Sequence, residues 1–205
     1  MVIGTVFLGK VKEMNGQWIE TKFFILGLPL FPTSSMLVTA AKHGSRQGMS
    51  IPLNATSIIA GYARLFTFIA AFILLALGLM GNAGPGSAGV LITVALALAA
   101  LWAFFYFSFG KPTTEEMEQR NRLGNATGIY AMPHWFSFDD ALANLKNYEY
   151  HYYQTFPNSN WKTDANNQII PADKKALLYQ IALFNFIIDS SAENEALLEK
   201  VEKSK

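Results

Sequence analysis

LFTFIAAFILLALGLM (65–80), GNAGPGSAG (81–89) and VLITVALALAALWAFFYFSF (90–109) decide how this chain is read: from Leu65 to Gly110 there is no Asp, Glu, Lys or Arg. A helix needs about 20 residues to cross the ~30 Å hydrocarbon layer at about 1.5 Å per residue. Two arms of that length, residues 57–80 and 90–109, flank a Gly-rich segment that cannot continue either of them. The pattern predicts a two-helix transmembrane hairpin closed by a turn over 81–89.

The fold class expected is therefore a membrane protein of α+β type. Residues 1–53 form a small β-rich module close to the membrane, and residues 112–205 form a helical domain. The β module is read from VIGTVFLGKV, a turn at Asn15-Gly16, QWIETKFFIL, a turn region over Pro29–Ser35 and then SSMLVTA. Phe23–Ala41 is also free of charge, but Gly27, Pro29 and Pro32 oppose a regular helix there. An interfacial or re-entrant segment is the alternative. The run Lys22-Phe-Phe-Ile-Leu-Gly-Leu-Pro-Leu-Phe-Pro32 loosely resembles a segment of small bacterial membrane-associated proteins, some with a zinc ribbon. The chain has no cysteine, which excludes the ribbon, disulfides and thiol catalysis.

Charge sets the expected orientation. Residues 1–64 carry six Lys/Arg against Glu13 and Glu20, residues 111–205 carry ten against thirteen Asp/Glu, and the segment between the arms carries none. The positive-inside rule then puts both termini in the cytoplasm of a bacterium, with the hairpin in the inner membrane and residues 81–89 in the periplasm. The first ten residues lack a basic start and a cleavage site, so the first arm is expected to act as the targeting signal. Tyr62, Phe66 and Phe68 on one arm and Trp102 to Phe109 on the other gather at the cytoplasmic end, where aromatic rings belong at headgroup level. Small residues at Ala63, Thr67 and Ala71, and at Ala95, Ala99 and Ala103, recur every four residues and predict a helix-packing face.

Beyond the hairpin, Thr113 with Glu116 predicts a helix start and Gly124 a stop, giving a short solvated stalk with Glu116/Arg120 and Glu118/Arg122 as surface pairs. Ser137 to Thr155 predicts a second helix with an apolar face of Phe138, Ala141, Leu142, Leu145, Tyr148 and Tyr152. Ala172–Asp189 is almost continuously apolar from Ala176, too short to span, and reads as the centre of a small bundle. A last amphipathic helix opens at Ser190 with Glu193.

Motifs with chemistry are sparse. Gly84-Pro-Gly86-Ser-Ala-Gly89 matches a dinucleotide-binding spacing but joins two apolar arms, not a strand and a helix. His43, His134 and His151 have no metal-ligand spacing to a carboxylate, and no nucleophile elbow, phosphate loop or basic stripe for nucleic acid is present. No catalytic residue, metal or cofactor is expected. The excess of large side chains from Tyr148 to Ile188 exceeds what a small bundle hides, and Tyr148, Tyr150, Tyr152, Tyr153, Trp161, Phe184 and Phe186 are the candidate contacts for a protein partner. The expected role is a non-catalytic accessory or scaffolding subunit at the lipid bilayer, bound to a protein partner or to further copies of itself. The alternative is a subunit of an oligomeric transport or channel assembly, which the lack of ionisable groups in the arms disfavours.

Overall fold

The computed structural model describes residues 3–26, 28–42, 45–80, 86–167 and 169–204. The chain is α+β, with a four-stranded antiparallel sheet and seven helices among the described residues. It divides into two compact units, Met1–Thr114 and Glu115–Lys205.

The first unit opens with a meander of β1 (Ile3–Met14), β2 (Gln17–Leu26), β3 (Leu28–Lys42) and β4 (Ser45–Ile51), paired in chain order. Asn15 and Gly16 both have positive φ, 49° and 76°, as a two-residue turn matching the twist of its strands requires. Ile19, Thr21 and Phe23 alternate on the buried face of β2. The expected turn region over Pro29–Ser35 is strand instead. Ile51 pairs with Ser35, so β4 stops there and leaves Leu28–Ser34 as an outer edge, where a missing proline N–H breaks no ladder. Register irregularities at Lys22/Phe23 and Phe24/Ile25 take up Pro32 and Pro29. β4 itself, SRQGMSI, has no alternating apolar pattern and is held by pairing with β3.

Two helices follow, α1 (Ala55–Leu79) and α2 (Ser87–Phe107), both long and apolar enough to cross a membrane. Their exposure separates them from the core helices of a soluble domain. In 25 residues α1 buries only Ser57, Ala60, Gly61 and Gly78, and in 21 residues α2 buries only Ala95. Residues 81–85 of the expected turn, and His43, lie outside the described residues.

The start of α1 is fastened to the sheet by polar groups. Asn54 caps the helix by accepting from the Ser57 N–H at 3.0 Å, and the Ser57 hydroxyl donates to the Gly9 carbonyl at 2.8 Å. Thr21 donates to Ser57 and shares a hydrogen bond with Ser35, both at 2.9 Å, and Ser35 accepts from the Asn54 N–H at 2.9 Å. Thr21, Ser35 and Ser57 are fully or almost fully buried, so the network satisfies groups that would otherwise cost about 1–3 kcal/mol each. Next to it the Phe23 ring meets Tyr62 edge-on at 5.0 Å and lies against Gly61, where a Cβ would press on it.

In the second unit, α3 (Thr114–Thr127) is not the expected solvated stalk. Glu116, Arg120, Leu123 and Gly124 are buried along one face. Arg120 is fully buried: its Nε donates to the Tyr130 carbonyl at 2.8 Å, its guanidinium lies 5.3 Å from the Trp135 ring centre, and Glu116 is 3.5 Å away. Burial pulls the Arg120 pKa down and Glu116 opposes that shift. Gly124 does not stop the helix; the Tyr130 ring occupies the space a side chain there would fill. The stop is Gly128, at φ 77°, whose N–H returns to the Gly124 carbonyl at 2.8 Å.

A 3-10 turn (Pro133–Trp135) leads to α4 (Phe138–Thr155), α5 (Trp161–Ala165), α6 (Ala172–Ile188) and α7 (Ala192–Lys203). α6 supplies the core with Leu178, Ile181, Ala182, Leu183 and Phe184, as its apolar sequence predicts. Ser137 caps α4 as expected, whereas Phe138 is 62% exposed, outside the apolar face. The cap of α7 is Ser191, one residue after the expected Ser190.

Gly9 combines φ 75° with a site where a Cβ would collide with the Ser57 carbonyl oxygen. Gly9→Ala should therefore cost at least about 1–2 kcal/mol in thermal unfolding of the detergent-solubilised protein. Gly4→Ala, with open space and no positive φ, should leave the transition unchanged.

Candidate functional site

Three places merit functional scrutiny: the groove between α1 and α2, the tyrosines of α4, and a polar cluster joining α4, α5 and α6.

The two long helices pack along much of their length, but not through the expected small-residue stripes alone. Ala95 is buried, Ala63, Thr67, Ala71 and Ala103 are half-buried, and Ala99 is exposed. A spacing of four residues advances about 40° around a helix at each step, so the alanine row walks off the contact. The side of α2 that stays covered runs through Ala95, Leu98, Trp102 and Phe105, at alternating steps of three and four. On α1 the tightest contact is Gly78, where a Cβ would lie 2.8 Å from Ile92. Beside the contact is an open groove of about 260 Å³, lined by Phe68, Ala71, Phe72, Leu75, Ala95, Leu96, Ala99 and Trp102. Its walls are apolar throughout, which suits an acyl chain or apolar side chains and offers nothing to an ion.

The helices end where the sheet begins. Arg64 donates from Nε to the Phe105 carbonyl at 2.8 Å and from Nη1 to the Lys10 carbonyl at 2.7 Å, and its guanidinium lies 5.5 Å from the Tyr106 ring centre. The only cation in α1 is thus directed to backbone oxygens and an aromatic ring at one end of the pair.

The seven candidate partner contacts separate by burial. Tyr152, Trp161 and Phe184 are buried in the second unit's own interior, at 0%, 5% and 0% exposure. Tyr148 is half-buried, stacked on Phe184 at 5.6 Å, and burial pushes its hydroxyl pKa up. Phe186 is half-buried as well. These five help fill a core that a pattern of tyrosines on every side of α4 could not assign. Tyr150 and Tyr153 remain on the surface, 60% and 41% exposed, three residues apart on one helical face. His151 and His134 lie beside Tyr150 and Trp135. Among the described residues no three His, Cys, Asp or Glu side chains come together to hold a metal.

Sequence reading missed the polar cluster, because its members lie on three helices. The Tyr152 hydroxyl donates to Asp164, and Lys174 donates to the same Asp164 oxygen at 2.6 Å and to the Ser159 hydroxyl at 2.7 Å. The Lys174 ammonium also sits 5.2 Å from the Phe156 ring centre. Lys174, then Tyr152, hold the Asp164 carboxyl below its usual range, while burial, then Asp164, push the Tyr152 hydroxyl well above its own. Tyr152 is fully buried and Asp164 and Lys174 are half-buried, and the cluster ties α4, α5 and α6 together.

A depressed carboxyl pKa stabilises the fold above the unfolded value of about 3.9 and loses that contribution as pH falls through the folded value. Acid titration of the protein should show the helical unit weakening below about pH 4. Asp164→Asn should cost about 1.5–3 kcal/mol at neutral pH and flatten that acid limb. For the helix pair, Gly78→Leu should force α1 from α2 at a cost of about 1–3 kcal/mol, while Ala99→Leu projects into the open groove and should be mild. Thermal melts in detergent distinguish the two.

No family model, curated protein or solved structure matches the chain.

Proposed function

We propose that the protein is a non-catalytic accessory or scaffolding subunit of the bacterial inner membrane, anchored by α1 and α2, that binds a partner protein through its helical unit. The observation that carries the partner reading is the surface pair Tyr150 and Tyr153 on α4. Tyrosine offers a large amphipathic contact with little side-chain entropy to lose, and it is enriched where proteins meet. The membrane reading is supported by two exposed apolar helices and by the concentration of basic residues outside them. Two crossings return the chain to the side it started from, so both termini are cytoplasmic in this reading. The transport alternative draws no support from the helix groove, whose lining residues are all apolar.

Full-length protein purified in mild detergent should co-purify with a stoichiometric protein partner. Tyr150→Ser with Tyr153→Ser should lose that partner, by about tenfold or more in retention if each ring contributes at least about 1 kcal/mol, with helical content unchanged. A monomeric, partner-free wild-type particle, or a double variant that retains its partner in full, would refute the assignment to this face.

A further inference from the structure

We infer that the tip of the β2–β3 hairpin inserts into the lipid bilayer beside α1, as a third membrane contact of the first unit. The inference rests on the reading of α1 and α2 as membrane-spanning helices. Five contacts set the direction of the sheet against α1. Moving toward the tip along β2, Thr21 meets Ser57 and Phe23 meets Gly61 and Tyr62. Moving the same way along β1, Gly9 meets Ser57 and Leu8 meets Gly61. Strand and helix therefore advance together. Leu26 lies three residues beyond Phe23, about 10 Å at strand rise, which is the rise of six to seven residues of helix. The tip is thus level with Thr67 and Phe68, past Arg64 and within the aromatic band of the helix pair.

Chemistry along the sheet agrees with its direction. Leu26 pairs with Leu28 and Phe24 with Phe31, and Leu26, Leu28 and Phe31 are 40%, 47% and 64% exposed. No charge occurs from Phe23 to Ala41, nor in the first nine residues, which include the part of β1 paired with the tip strand. Lys10, Lys12, Glu13 and Lys42 lie toward the opposite end of the sheet, Arg46 pairs with Glu20 and reaches over Phe7 midway along it, and Lys22 is the last charge before the tip. A sheet charged at one end and apolar at the other, with its apolar end continuing the level of two apolar helices, matches a membrane interface. Apolar groups penetrate such an interface by about 5–10 Å. Lipid is the occupant because the surface continues that of the exposed helices and carries no charged side chain.

Because the chain has no cysteine, single labels can be placed cleanly. Phe31→Cys, Leu28→Cys, Gln47→Cys and Phe72→Cys variants of the full chain would carry an environment-sensitive fluorophore in vesicles of anionic and zwitterionic phospholipid. Expected are quenching at positions 31 and 28 by lipid spin-labelled near the headgroup, quenching at 72 by lipid labelled deep in the acyl chain, and quenching at 47 by aqueous iodide. Iodide access at 31 and 28 with deep quenching at 72 would overturn the inference and leave the membrane-spanning reading intact. Iodide access at 72 would overturn both. Shielding of 31 and 28 from iodide and lipid alike would mean that protein covers the tip, a partner or a second copy, and would also overturn the inference.

Discussion

The structure of the first unit depends on a short bulged stretch of β1, Gly9 to Lys12, that grips the base of the helix pair, where α1 starts and α2 ends. Its register against β2 is broken between Leu8 and Val11, and Gly9 and Lys12 adopt positive φ. Backbone groups freed from the ladder are given to the helices instead. The Gly9 carbonyl accepts from Ser57 at the start of α1, the Lys10 carbonyl accepts from Arg64, and the Lys12 N–H donates to Gly110, just after α2, at 2.6 Å. A regular strand would spend these groups on its neighbour. The bulge converts an edge into a socket.

Arg64 completes that socket from the other side. By donating to Phe105 it satisfies a carbonyl near the C-terminus of α2, where the helix leaves acceptors unmatched and favours a cation. By donating to Lys10 it ties the same guanidinium to the sheet. One side chain in α1 thus bridges β1 and the end of α2. An arginine near one end of an apolar helix reads from sequence as a charge reaching for headgroups. Here its fixed backbone partners come from the protein.

What was legible in sequence follows the range of the interactions involved. Periodicity, caps and turns act over a few residues, so the two apolar arms, the Asn15-Gly16 turn, the Ser137 cap and the buried α6 all show in the chain itself. Features that depend on a distant partner did not. Gly124 looks like a helix stop until Tyr130 is placed on it, and Arg120 looks like half of a surface pair until Trp135 and the Tyr130 carbonyl surround it. Pro29 and Pro32 signal a turn unless one knows that β4 ends opposite Ser35 and leaves them on an edge. Among the tyrosines of α4, sequence marks the excess of rings, but only Phe184, Asp164 and Lys174, all on other helices, decide which rings are interior.

The distribution of polar groups separates the work of the parts. Buried hydrogen bonds gather in the first unit where sheet meets helix, at Thr21, Ser35 and Ser57, and in the second unit buried and half-buried ones gather around Arg120 and Asp164. Each cluster joins segments that apolar packing alone would leave free to slide, since polar partners accept only one arrangement. Along the rest of α1 and α2 the hydroxyls of Thr67 and Thr93 return to carbonyls four residues back, and the contact between the helices is made by shape at Gly78 and Ala95. In the membrane-spanning reading, that is the solution a low-dielectric solvent favours: backbone satisfied within each helix, small residues at the closest approach, and polar ties gathered at one end. The sheet grips the helices at that end, so the pair is held by its polar base while most of its apolar shaft stays exposed.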